Sequence, residues 1–257
     1  MFGRGARLVM AISLLVGPWF VGANEVKASS GVTGTVTVSA AASLRESFTE
    51  IGKAFRAVHP KARVRFNFGS SSALVSQVLS GAPADVVAFA DPVTMDRLVT
   101  AGVVQSAPKV FARNSMAIAV KRGNPLNVAS IADLSRVGVV AMCIQTAPCG
   151  SYAKTVLSRA GVVIPESSVT RGVDATATLA QVVTGDAQAA LVYSTDVRSA
   201  GTSVRAIAIP RSFNVTATYP IAQVRDSKQS VPARAFVDFV LSSAGQSILG
   251  KYGFGRP

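Results

Sequence analysis

Only two cysteines and a single histidine occur among the 257 residues. A zinc cluster is disfavoured by that scarcity, because Cys143 and Cys149 would need further ligands and His59 lies far away in sequence, beside Pro60. Aromatic residues make up 7% and the basic residues are scattered, which argues against a nucleic-acid surface even though the formal charge is +13. That balance favours anionic partners and their rate of approach, and it is silent on fold. Internal repeats and low-complexity linkers are missing. So is an apolar run of about 20 residues free of proline, the length that a spanning helix requires.

The longest apolar run, Leu8 to Val21, contains Pro18, follows Arg4 and Arg7, and is succeeded by small residues at Ala23 and Ala28. This arrangement predicts a secretory signal peptide over residues 1–28, cleaved after Ala23 or Ala28. No cysteine sits at the cleavage region, so no lipid anchor is expected. Roughly 230 residues then remain, enough for two α/β domains with cores of their own. In an oxidising compartment Cys143 and Cys149, six positions apart in MCIQTAPCGSY, read as a disulfide closing a small loop.

What the chain does contain is one grammar used four times. Val64 to Leu79, VRFNFGSSSALVSQVL, alternates like a strand, turns through Gly-Ser-Ser-Ser and continues as an amphipathic helix. The turn presents amides and hydroxyls at the positive end of a helix, with no Lys or Arg among them, which suits an oxyanion. Strand, small or hydroxyl residue, then helix recurs at Ser43, at Gly150 and near Ala175. Ser43 to Glu46 also has capping-box spacing, with Leu44, Phe48, Ile51 and Phe55 on the core face of its helix. Asp91-Pro92 starts another helix as N-cap and N1, a better reading of Asp91 than an acid/base pair with Asp85. Short apolar strands at 85–89, 137–142 and 189–193 suit sheets covered on both faces. The pattern predicts an α/β, two-lobed fold. Each lobe is a mostly parallel sheet flanked by helices, with ligands outside the strand carboxyl ends. The chain crosses between lobes near residues 112 and 211, so that 29–112 plus 211–257 form lobe 1 and 113–210 form lobe 2.

TVSAAASL, FGSSSAL, GAPADVVAFAD, PCGSYAK, ALVYSTD and the closing KYGF resemble, in order and spacing, the molybdate-binding proteins of bacterial ABC importers, the ModA family. The resemblance covers essentially the whole chain after the leader. It implies a type II periplasmic-binding-protein fold, a periplasmic or extracytoplasmic location, capture of molybdate or tungstate between the lobes, and delivery to an ABC permease. Carried over residue by residue, the ligand contacts fall on Ser43, Ser71, Cys149, Ala175 and Tyr193. Cys149, where many members carry Ala, would act through its backbone N–H. Ala175 lies where the sequence departs most from the family pattern.

These dianions accept hydrogen bonds and donate none, so a site made of donors alone suits them. No catalytic residue, cofactor or direct cation site is expected, and a receptor that must close is most simply a monomer. A receptor for sulfate, phosphate or another small oxyanion is the nearest alternative. An exported serine-type hydrolase would need a base beside Ser43 or Ser71, and neither His59 nor a G-x-S-x-G turn supplies one. A regulatory sensing module would need a DNA-binding segment, and none is seen.

Overall fold

Short apolar strands alternate with one-sided helices along the chain, and in the computed structural model they assemble into two sheets joined through one shared strand. Residues 2–3 and 31–257 are described; the rest of the expected leader, with Ala23 and Ala28, lies outside the described residues. In the first lobe β1 (Gly34–Ala41) pairs in parallel with β2 (Ala62–Gly69) and with β3 (Val86–Ala88). In the second, β5 (Val140–Cys143) pairs in parallel with β6 (Val169–Gly172) and β7 (Ala189–Tyr193). Antiparallel strands complete both sheets: β4 (Lys109–Lys121), β8 (Val204–Ala208) and β9 (Thr216–Gln223). The parallel strands are therefore the expected ones, and the sheets as wholes are mixed.

Strand β4 belongs to both lobes. Lys109 to Ser115 pair with β9, and Met116 to Val120 pair with β7. At the exchange point the side-chain amide of Asn214 takes the place of a strand. Met116 N–H donates to Asn214 Oδ1 at 3.0 Å, and Asn214 Nδ2 donates to Met116 O at 2.8 Å. Asn214 lies in the segment between β8 and β9, so the two crossings between lobes are bonded to each other.

Helices cover the sheets. In the first lobe α1 (Arg45–Val58) buries Phe48, Ile51 and Phe55, each with zero exposure. Phe48 and Phe55 meet Phe236 of α7 (Ser230–Leu241) edge-on at 6.1 and 5.4 Å between centroids. Burying each such ring contributes about 1.5–3 kcal/mol. Further cover comes from α2 (Ser71–Leu79), α3 (Pro92–Thr100) and α8 (Ser243–Lys251). The second lobe uses α4 (Pro148–Ala160), α5 (Ala175–Thr184) and the short α6 (Ser194–Ser199). Helices α4 and α5 stop at Gly161 and Gly185, whose φ angles of 65° and 99° fit a left-handed C-terminal cap. No helix among the described residues is long and apolar enough to cross a membrane.

One local expectation fails. Ser43 does not cap α1: residues Ala42–Leu44 form a 3-10 turn, the helix opens at Arg45, and its N-cap, Leu44, has no side-chain cap. The hydroxyl of Ser43 has instead a tertiary partner, Tyr219 Oη, at 3.0 Å.

Candidate functional site

Parallel strands that end together leave their following loops on one edge, and here those loops face one another across the gap between lobes. A small cavity lies there, with about 10 Å³ of space open to the centre of a water molecule. Its wall comes from Ala41 and Ala42 at the end of β1, Gly69 to Ser71 at the end of β2, and Ala90 after β3. The opposite wall is Pro148 and Cys149, Asp174 and Ala175, and Tyr193 at the end of β7. So compact a space admits a single small group and no extended ligand. Ser72 Oγ of α2 donates to Thr146 O, a bond that joins the lobes across the rim.

Three helix starts converge on the cavity, and each leaves its first amides without intrahelical partners. At α2, Ser70 takes Ala73 N–H with its side chain at 3.2 Å, leaving the earlier amides of the turn free of that cap. At α5, Asp174 Oδ1 accepts Ala177 N–H at 2.8 Å, beyond the Ala175 amide. At α4, Pro148 occupies the first position and no side chain caps the turn. Cys149 follows, bonded to Cys143 through a disulfide with 5.8 Å between Cα atoms. This is the pairing expected from sequence. It pins the start of α4 to the end of β5, and Gly150 permits the approach: a Cβ there would lie 2.1 Å from Ile144 O. Among the described residues, no group of three His, Cys, Asp or Glu side chains is placed to hold a metal ion.

Two hydroxyls add to the amides. Ser71 Oγ accepts Ala90 N–H at 3.0 Å, which occupies a lone pair and leaves its hydrogen free to be donated. Tyr193 is 2% exposed, and its Oη is buried with no hydrogen-bond partner among the described residues. Burial, reinforced by Tyr219, Tyr152, Asp196 and Asp91, holds that phenol well above its ordinary pKa, so it remains a donor. A buried hydroxyl without a partner costs about 1–3 kcal/mol, so a group aimed into a cavity this way is set up for a ligand.

The electrostatics come from dipoles. Among the described residues, no Lys, Arg or His lines the cavity, and Asp174 is its one acidic residue. Behind Tyr193, Asp196 Oδ2 accepts the Tyr193 backbone N–H at 3.0 Å. Burial pushes Asp196 up to about 8, helped by Glu46 and Asp174 and opposed by that hydrogen bond. At neutral pH it is mostly an uncharged acid, which spares an anion in the cavity a further repulsive charge.

Of the five residues expected at the site, Ser71, Cys149, Ala175 and Tyr193 line the cavity together. Ser43 stands one residue behind the wall formed by Ala41 and Ala42. Sequence reasoning missed Ala41, Ala42, Gly69, Ser70, Ala90, Pro148 and Asp174 as wall residues. Several of them flank an expected contact, and that adjacency was the available signal. Ala90, which follows β3, carried none.

Two α/β lobes with a small cavity between helix starts, free of cationic side chains among the described residues, define a two-lobed solute-binding protein. Residues 36–255 match the family described as bacterial extracellular solute-binding protein. The chain is 39% identical over 224 residues to the molybdate-binding protein ModA of Mycobacterium tuberculosis, covering 87% of this chain and 85% of the relative. It belongs to that extracellular solute-binding family and, within it, to the ModA proteins. Among solved structures, the periplasmic molybdate-binding protein of Azotobacter vinelandii matches with a TM-score of 0.79 at 16% identity, covering 86% of this chain and 99% of that one. The sulfate-binding protein SubI of Mycobacterium tuberculosis matches with 0.78 at 21%, covering 86% of each. At those identities the two structures show a shared fold.

Proposed function

We propose that this chain is the extracytoplasmic receptor of an ABC importer, capturing molybdate (and tungstate) between its lobes and presenting the closed form to a membrane permease. The observation that carries the reading is the buried, unpartnered Tyr193 hydroxyl facing a cation-free cavity at three helix starts. The ligand set is Ser43, Ser71 and Tyr193 through hydroxyls, with Cys149 and Ala175 through amides. Lobe 1 comprises 29–112 plus 211–257 and lobe 2 comprises 113–210. The receptor works as an exported monomer without catalysis, its leader being residues 1–28. The fully ionised dianion accepts from every donor, and holding donors from both lobes at once favours closure.

Asp174 favours one competing ligand. It is the only carboxylate on the wall, and a protonated oxyanion such as hydrogen phosphate could donate to it. Its engagement with Ala177 N–H weighs against that use.

Isothermal titration of the mature protein with molybdate, tungstate, sulfate and phosphate separates the readings. Tight one-to-one binding of the first two with little heat from the others supports the proposal. Preference for sulfate or phosphate would keep the cleft and reassign the ligand, and silence towards all four would overturn the reading.

A further inference from the structure

Behind the cavity lies a buried polar chain that none of the expected site residues explains. Asn114 of β4 sits at the strand's exchange between lobes, and its amide orientation is fixed from two sides. Its Oδ1 accepts Ser115 N–H at 2.9 Å and Ser194 Oγ at 2.9 Å, while Nδ2 donates to Thr195 Oγ1 at 2.8 Å. A flipped amide would set an NH2 group against the Ser115 N–H, so Nδ2 must be the atom that faces Tyr219. It lies 3.3 Å from Tyr219 Oη, and that oxygen lies 3.0 Å from Ser43 Oγ.

The polarity of the chain follows from counting hydrogens. Tyr219 has no exposure, its oxygen accepts from Asn114, and among the described residues Ser43 Oγ is the one acceptor within reach of its own hydrogen. If Ser43 donated to Tyr219 instead, the phenolic oxygen would take two donors and its own buried hydrogen would be unmatched. Tyr219 therefore donates to Ser43, and the Ser43 hydrogen remains uncommitted beside the wall at Ala41 and Ala42. Asn114 also bonds Ser194 and Thr195, the two residues after Tyr193. One chain thus links Ser43 in the first lobe to the Tyr193 strand end in the second.

We propose that Asn114 and Tyr219 are positioning residues that fix Ser43 as a hydrogen-bond donor, and that this fixed polarity selects fully deprotonated oxyanions over protonated ones. The inference rests on the oxyanion reading above and deepens it. Neither residue touches the cavity; both act through Ser43.

The test is a coupling experiment by calorimetry on the full mature chain. Tyr219→Phe keeps the ring and removes the relay hydrogen, and should weaken molybdate about tenfold. In a Ser43→Ala background the same change should alter the affinity less than about twofold. Asn114→Asp replaces the donor with an acceptor, so Tyr219 turns to it and Ser43 is free to donate to Tyr219. The ratio of molybdate to hydrogen phosphate affinity should then fall at least tenfold. A purely structural role would lower thermal stability while the Tyr219 effect persisted in Ser43→Ala and the ratio stayed at the wild-type value. That outcome overturns the relay. The two failures are distinct: a wild-type protein blind to molybdate removes the parent reading and the relay with it. A wild-type protein that binds molybdate without coupling removes the relay alone.

Discussion

Tyr193→Phe deletes one oxygen from the cavity wall and leaves the ring in place, so its two consequences separate cleanly. Without ligand, Oη is buried and has no partner among the described residues, and removing it should leave folding stability unchanged or raise it by about 1 kcal/mol. With the dianion bound, the hydroxyl makes a charge-assisted bond, and its loss should cost about 1.5–3 kcal/mol. At 1.4 kcal/mol per tenfold, that is an increase in Kd of about 10- to 150-fold. Titration calorimetry with molybdate reads the second effect, and urea unfolding without ligand reads the first. Unfolding repeated at a fixed, saturating molybdate concentration should show the ligand's stabilisation reduced by the same increment. An unchanged Kd, or a ligand-free protein destabilised by more than about 1 kcal/mol, would mean that the hydroxyl serves packing, and the reasoning from an unpartnered donor would fail.

Other outcomes follow from the same geometry. Replacing both Cys143 and Cys149 with serine opens a short loop and should cost about 2 kcal/mol of stability in thermal unfolding, with weaker molybdate binding because the Cys149 amide is no longer held against β5. Gly150→Ala drives a Cβ towards Ile144 O and should destabilise by roughly 1–3 kcal/mol while weakening the ligand, whereas alanine at Gly250, which has nothing within 4 Å, should leave affinity as it is. For Asp196 the folded pKa of about 8 lies above that of the unfolded chain, so between about pH 4 and 8 folding takes up a proton and stability falls as pH rises. Asp196→Asn, which keeps an acceptor for Tyr193 N–H, should flatten that slope when melting temperatures are compared at pH 5, 7 and 9.

Local chemistry made much of this readable. The serine turn before α2, the Asp91-Pro92 start of α3, and the glycines that end α4 and α5 all act through their neighbours in sequence. The cysteines needed only six residues of separation to find each other. The capping-box spacing at Ser43 is not realised, and the partner its hydroxyl has instead, Tyr219, is 176 residues away. The first half of β4 carries no strand pattern in the sequence, since Lys109, Arg113 and Asn114 break its apolar alternation. Those residues become a strand only because β9, more than a hundred positions later, runs beside them. Tyr219 and Asn114 gave no signal at all, for their meaning lies in hydrogens that three distant side chains share.

Asn214 carries a mechanical consequence. Because its amide clips the returning segment to Met116 where β4 leaves one sheet for the other, neither connection can bend without the other. The two hydrogen bonds therefore couple the connections, so that a change in the angle between the lobes that bent one of them would strain the Asn214–Met116 pair.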